Sequence, residues 1–130
     1  MKILFISEAV VEICNGKYYK TSFQPFIERY SSFGKVIFCS YCKNVEESGQ
    51  SVLDTSNVEF LFLKKETNLR TIFTVNKRNV SKLKKAIAEC DIVAVHLPSS
   101  IGLHAVNICK QTGKPYFLGV CLLYTSDAAD

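Results

Sequence analysis

The chain alternates between short apolar runs and longer stretches in which apolar residues return every three or four positions. Residues 2–7, K-I-L-F-I-S, form the first run. Their β-branched and aromatic content predicts a strand buried on both faces. Similar runs at 35–40, 58–63, 91–95 and 116–120 predict four more strands. After the first strand, Phe23, Phe26, Ile27 and Tyr30 recur at helical spacing. They predict a helix over 22–32, capped by Thr21 or Ser22, with Pro25 in its first turn and Gly34 as its stop. Val80, Leu83, Ile87 and Cys90 line a second helix that starts at Asn79 or Ser81, with lysines on the opposite face. Ile101, Ala105 and Ile108 line a third, capped by Ser99 or Ser100 and ended by Gly113. Residues 8–20 and 43–57 read as polar surface loops, and 64–77 as the least regular segment, with a short helix over 69–75.

Strands that alternate with helices predict an α/β domain: a Rossmann-like parallel sheet of five strands flanked by helices. Right-handed crossovers favour the strand order 3-2-1-4-5. The winding then reverses between strands 1 and 4, and ligands bind beyond the carboxyl ends of strands at such a point. Two loops therefore hold the candidate chemistry. The first contains Gly16-Lys17-Tyr18-Tyr19. A glycine lets backbone approach a ligand closely. Lys17, Tyr18 and Tyr19 can hydrogen-bond to a sugar or stack on it; alternatively the tyrosines pack on the sheet edge. No dinucleotide-binding glycine pattern occurs. The second loop, 96–102, places Ser99 and Ser100 at a helix N-terminus, where free amides and the helix dipole favour an anionic group. Simple capping is the plainer role for both serines. His96, at the strand end, can donate to a ligand or serve structurally, and His104 lies within the following helix. No nucleophile–base pair, paired acids or phosphate-binding lysine motif assembles.

Composition narrows this picture. The length of 130 residues fits one domain, and 48% hydrophobic content with nine Phe and six Tyr supplies a core. No run is long enough to span a bilayer, and Glu8 and Glu12 interrupt any export signal. The net charge is +4. Lys64, Lys65, Lys77, Arg78, Lys82, Lys84 and Lys85 form the densest basic region. Such a face is ordinarily solvated, and it can also meet an anionic headgroup layer. No nucleic-acid recognition module is recognisable, so nucleic acid is not an expected partner. The cysteines fall inside apolar patterns and read as buried, reduced thiols of a cytosolic protein. Cys39-Ser-Tyr-Cys42 has metal-ligand spacing but lacks a second ligand pair, so no metal is expected.

The last ten residues, C-L-L-Y-T-S-D-A-A-D, resemble, residue for residue, the translation of a transposase-type sequencing adapter in one open frame. Residues 121–130 are accordingly read as a non-native tail. Residues 1–120 are then an incomplete N-terminal domain. Setting aside Asp127 and Asp130 leaves 16 basic and 10 acidic side chains, a net of +6. Leu122, Leu123 and Tyr124 are expected to lack partners in the core.

Five stretches carry a family resemblance: M-K-I-L-F-I-S, G-K-Y-Y-K-T-S-F, R-Y-S-S-F-G-K-V, C-D-I-V-A-V-H-L-P-S-S-I-G and G-K-P-Y-F-L-G-V. In this order and spacing, residues 1–120 resemble the N-terminal, acceptor-side half of a family 4 glycosyltransferase of the GT-B fold, of the kind found in bacterial surface polysaccharide clusters. The resemblance implies retaining transfer of a sugar from a nucleotide-sugar donor to a glycan or lipid-linked acceptor. It implies no cofactor and no metal, and a cytoplasmic location, peripheral to the inner face of the plasma membrane. In such enzymes the C-terminal domain holds most donor contacts, and a glycine loop after strand 1 approaches the donor phosphates; Gly16 matches that position. The family's sugar-side histidine follows the strand matched by 116–120. The chain leaves the pattern there, so the catalytic residues stay unassigned, His96 does not inherit that role, and the chain by itself is expected to be inactive. The rival reading is a stand-alone flavodoxin-like or receiver-like binding module without catalysis. A receiver asks for an aspartate where Leu63-Lys64-Lys65 stands. A flavodoxin asks for a phosphate loop where Glu8-Ala9-Val10-Val11 stands. A scaffold domain without chemistry is a third reading.

Overall fold

A computed structural model describes residues 1–64, 77–97 and 99–120. The elements are β1 (Lys2–Cys14), β2 (Lys17–Tyr19), a 3-10 turn at Thr21–Phe23, α1 (Gln24–Ser31), β3 (Lys35–Asn44), β4 (Val58–Phe62), α2 (Lys77–Glu89), β5 (Ile92–Leu97), α3 (Ser100–Thr112) and β6 (Tyr116–Val120). The sheet runs β4-β3-β1-β5-β6, and β2 pairs only with β1. The five main strands are parallel, and β2 is antiparallel. With the hairpin strand set aside, this is the predicted 3-2-1-4-5 order. The chain is an α/β, Rossmann-like domain.

Strand alternation sorts the core into two layers. Leu4, Ile6, Ile37, Cys39, Val93 and Val95 point to one face, where Leu83 and Ile87 of α2 and Ile101, Ala105 and Ile108 of α3 cover them. Ile3, Phe5, Val36, Phe38 and Ala94 point to the other, with Phe23 and Ile27. Phe5 anchors that second layer: its ring centroid lies 4.7 Å from Phe38, 5.2 Å from Phe26 and 5.7 Å from Tyr30. Aromatic pairs at such offsets add to the stabilisation from area burial.

The structure departs from the sequence reading in five places, the first being that β3, expected over 35–40, runs on to Asn44 into the segment read as loop. The predicted loop at 8–20 is mostly strand: β1 continues to Cys14, turns at Asn15-Gly16 and returns as β2. Asn15 and Gly16 both take positive φ, 50° and 75°, as a tight two-residue hairpin turn requires. β5 runs on to Leu97, so His96 is a strand residue paired with Gly119. Asn79 does not cap α2 but lies inside it. Its side chain accepts from the Lys64 backbone N–H at 3.1 Å and donates to the Lys64 carbonyl at 2.9 Å, replacing the partner strand that Lys64 lacks. Neither Thr21 nor Ser22 caps α1; they lie in the 3-10 turn that precedes it, and α1 begins at Gln24 without a side-chain cap. The short helix expected over 69–75, and the expectations for Leu122, Leu123 and Tyr124, lie outside the described residues.

Gly34 ends the α1 connection at φ 151°. The Lys35 N–H donates to the Met1 carbonyl at 3.0 Å, which brings Met1 across Gly34. A Cβ at Gly34 would overlap that carbonyl oxygen, whereas one at Gly49 meets open space. Gly34→Ala is therefore expected to lower stability by about 1–3 kcal/mol, and Gly49→Ala to change it by less than about 0.5 kcal/mol. Urea denaturation of the two variants checks this; equal midpoints would contradict it.

Candidate functional site

β1 is flanked on both sides only near its start. Its ladder with β5 spans Ile3↔Ile92 to Ile6↔Val95 and then stops, while its ladder with β3 runs on to Ile13↔Asn44. The β1–β3 ladder is itself interrupted: Ile6 pairs with Cys39 and Val10 with Tyr41. Residues 7–9 therefore stand opposite residue 40 alone, a bulge of the kind that re-aims side chains. The Ser7 hydroxyl oxygen accepts from the Ala9 N–H at 3.2 Å and braces it. This bulge sits at the winding reversal, beside the carboxyl end of β5.

Glu8, at the centre of the bulge, turns its carboxylate onto the first turn of α3. One carboxylate oxygen accepts from the Ser100 N–H, from the Ser100 hydroxyl and, at 3.1 Å, from the Ile101 N–H. Ser99 is the N-cap in extended backbone, and its hydroxyl oxygen accepts from the Gly102 N–H at 2.8 Å. The Leu103 N–H donates to the Ser99 carbonyl at 3.1 Å. Every amide of the first turn is thus satisfied from within the chain. The close approach depends on Gly102, where a Cβ would stand 2.6 Å from a Val95 methyl. Burial alone would raise the Glu8 pKa, yet the bonds from Ser100, Ile101 and Ser99 outweigh it and hold the carboxyl below its usual value.

The opposite face of the sheet at the same end is polar and uncharged. By alternation with Phe5, Phe38 and Ala94, the side chains of Ser7, Ser40 and His96 project to one face on adjacent strands. The His96 ring rests on Phe26 and Phe5, at centroid distances of 5.2 and 5.8 Å. Its Nδ1 and the Ser40 hydroxyl are buried without a hydrogen-bond partner among the described residues. Desolvation holds His96 below its ordinary pKa of 6.5, so the imidazole is neutral at pH 7.

The sequence candidates therefore separate. His96, Ser99 and Ser100 converge on the carboxyl ends of β1 and β5. Gly16 and Lys17 sit exposed on the hairpin turn and the strand that leaves it. The glycine that was expected to approach a phosphate is a turn residue, displaced from the strand crevice by the extension of β1. Tyr18 lies tilted against Phe60 and Phe62, with centroids 4.4 and 6.0 Å away, and so packs on the sheet edge. Tyr19 pairs with Glu12 and bridges to Val52. Glu8 escaped sequence reasoning, because its partners lie 92 and 93 residues downstream. The C-x-x-C cysteines diverge, with Cys39 fully buried and its thiol pushed up to about 12 by desolvation, and Cys42 exposed. The side chains of Lys77, Lys82, Lys84 and Lys85 are exposed on α2. Among the described residues, no helix is long and apolar enough to cross a membrane.

No family model matches the chain. Over 125 residues it is 30% identical to Protein CapJ of Staphylococcus aureus, an alignment covering 92% of this chain and 32% of CapJ. The chain thus spans about a third of the length of that curated relative. Among solved structures, the C-terminal domain of the PF1911 hydrogenase from Pyrococcus furiosus is similar at a TM-score of 0.52 and 17% identity, covering 91% of this chain and 90% of that one. A UGT transferase from Siraitia grosvenorii in complex with UDP reaches a TM-score of 0.49 at 16% identity, over 92% of this chain and 24% of that one. The likeness to the hydrogenase domain is one of fold.

Glu8→Ala strips acceptors from the first turn of α3 and is expected to cost about 1 kcal/mol. The pH dependence has two parts. Glu8 has a lowered folded pKa, so its contribution is complete above the unfolded value of 4.5 and is lost as pH falls through the folded one. His96 is also lowered, so the folded state resists its protonation and stability declines as pH falls below 6.5. In urea titrations across pH, His96→Gln is expected to flatten the higher part of this acid slope and Glu8→Gln the lower part. Slopes unchanged from wild type would refute both assignments.

Proposed function

We propose that this domain is the acceptor-side layer of a sugar-transferring enzyme of surface polysaccharide synthesis. The observation that carries the reading is a coincidence of sequence and place. M-K-I-L-F-I-S forms β1 up to the bulge, and the D-I-V-A-V-H-L run leads through β5 to the Ser99-capped turn of α3. G-K-P-Y-F-L-G-V leads into β6. Three of the five stretches that carry the glycosyltransferase resemblance thus build the strands at and beside the winding reversal, where such folds bind ligands. The similarity to CapJ along 92% of the chain is consistent with a shared architecture.

In this reading a nucleotide-sugar supplies the transferred sugar to a glycan or lipid-linked acceptor. The chain's own contribution is to position the acceptor: the neutral His96 imidazole hydrogen-bonds to a hydroxyl, and the Ser7–Ala9 bulge shapes the floor. The exposed lysines of α2 are proposed to meet anionic headgroups near a lipid-linked acceptor. A flavin-binding module is less well supported, because β1 runs on as strand where a phosphate loop would have to begin.

A titration with simple glycosides followed on the protein's own NMR signals tests the reading. Glycosides are expected to bind weakly, with the His96 ring protons among those perturbed, and His96→Ala is expected to weaken binding by about tenfold, the scale of one polar contact. The chain by itself is expected to release no nucleoside diphosphate from a nucleotide-sugar. Flavin binding without glycoside binding, or turnover by the chain alone, would overturn the assignment.

A further inference from the structure

The first turn of an exposed helix ordinarily offers free N–H groups and a positive dipole end to an anion. In α3 none of these donors is left over. Ser100 and Ile101 donate to the Glu8 carboxylate, Gly102 donates to Ser99, and Leu103 to the Ser99 carbonyl. The carboxylate is delivered by a β-bulge held by Ser7, so its position follows from the fold and not from a flexible loop. No ion pair involving Glu8 occurs among the described residues, so its charge stays uncompensated by a cation. On the opposite face of the sheet stands His96, its Nδ1 buried against Phe5 and Phe26 and without a hydrogen-bond partner among the described residues. The carboxyl end of the sheet therefore presents a fixed negative charge on the α3 face and an uncharged imidazole on the other.

We propose that Glu8 is a specificity-determining residue that acts as a resident anion: it occupies the α3 terminus and excludes phosphate, so the part of a ligand admitted between β1 and β5 is an uncharged, hydroxyl-bearing one. The end of α3 is thus not itself a ligand site but is closed to the ligand class that such ends usually attract. Phosphate approaching it meets a like charge with no free donor, whereas a sugar hydroxyl can donate to the carboxylate. The nature of the admitted ligand rests on the transferase reading; the exclusion of phosphate does not.

Amide resonances of Ser100, Ile101 and Gly102 in the 15N-labelled chain report the exclusion directly. Inorganic phosphate and pyrophosphate are titrated at constant ionic strength against a chloride control. Wild-type protein is expected to show no saturable shift at these amides. Glu8→Ala is expected to show one, with apparent affinity at least about tenfold above wild type, the scale of one charge at a helix end. Glu8→Gln keeps an acceptor oxygen, removes the charge and preserves the packing. It is expected to fall between the two and carries the comparison if the alanine variant does not fold. Saturable phosphate shifts in the wild type, or folded variants as indifferent to phosphate as the wild type, would overturn the proposal. Glycoside binding is read separately on His96, so failure of the transferase reading leaves this result standing.

Discussion

The parting of β5 from β1 beyond Ile6 is the constraint on which the rest of the molecule turns. Up to that point β1 is paired on both sides and buried, with Ile3 to Ile6 between 0 and 3% exposed. Beyond it, β1 must keep β3 while losing β5, and backbone groups freed on one side need other arrangements. The bulge at residues 7–9 absorbs the change of partner. It also converts a strand into a support for α3, since Glu8 leaves the sheet at the level where the helix begins. Crevice, hairpin arm and helix anchor are three results of one lost ladder.

Charge is placed at this end of the sheet by hydrogen bonding and not by pairing. The ion pairs among the described residues are Lys35–Glu59 and Lys43–Glu12, away from the α3 terminus, and exposed pairs of this kind add little. Glu8 is instead stabilised by dipoles, and His96 is kept neutral by its aromatic bed. The carboxyl end of the sheet thus carries a fixed acceptor on the α3 face and an uncharged imidazole on the other.

Much of the fold was legible because it is written locally. Short, largely apolar runs marked the five parallel strands, and the serine–glycine arrangement at 99–102 marked the start of α3. The extension of β1 was harder to read because Glu8 and Glu12 look like strand breakers. Their partners are remote: Glu12 accepts from the Ser48 hydroxyl, 36 residues on, at 2.6 Å and sits 3.6 Å from Lys43. A signal was nevertheless present, since Val10, Val11 and Ile13 favour strand and Asn15-Gly16 is a strong hairpin turn. Once that hairpin is recognised, Gly16 leaves the crevice and Tyr18 joins the aromatic edge. Ser99 and His96 were found from their positions at strand and helix ends. The role of Ser99 was clear from local chemistry, while the resident carboxylate depended on a contact across the whole domain.

Asn79 carries a consequence for how this architecture tolerates change. Its amide grips both backbone groups of Lys64, so the exit from β4 is tied to α2 independently of the residues between them. The two ends of that connection are thereby held at a fixed separation. Asn79 thus acts as a clasp that fastens the end of β4 to α2 through one side chain and without backbone pairing.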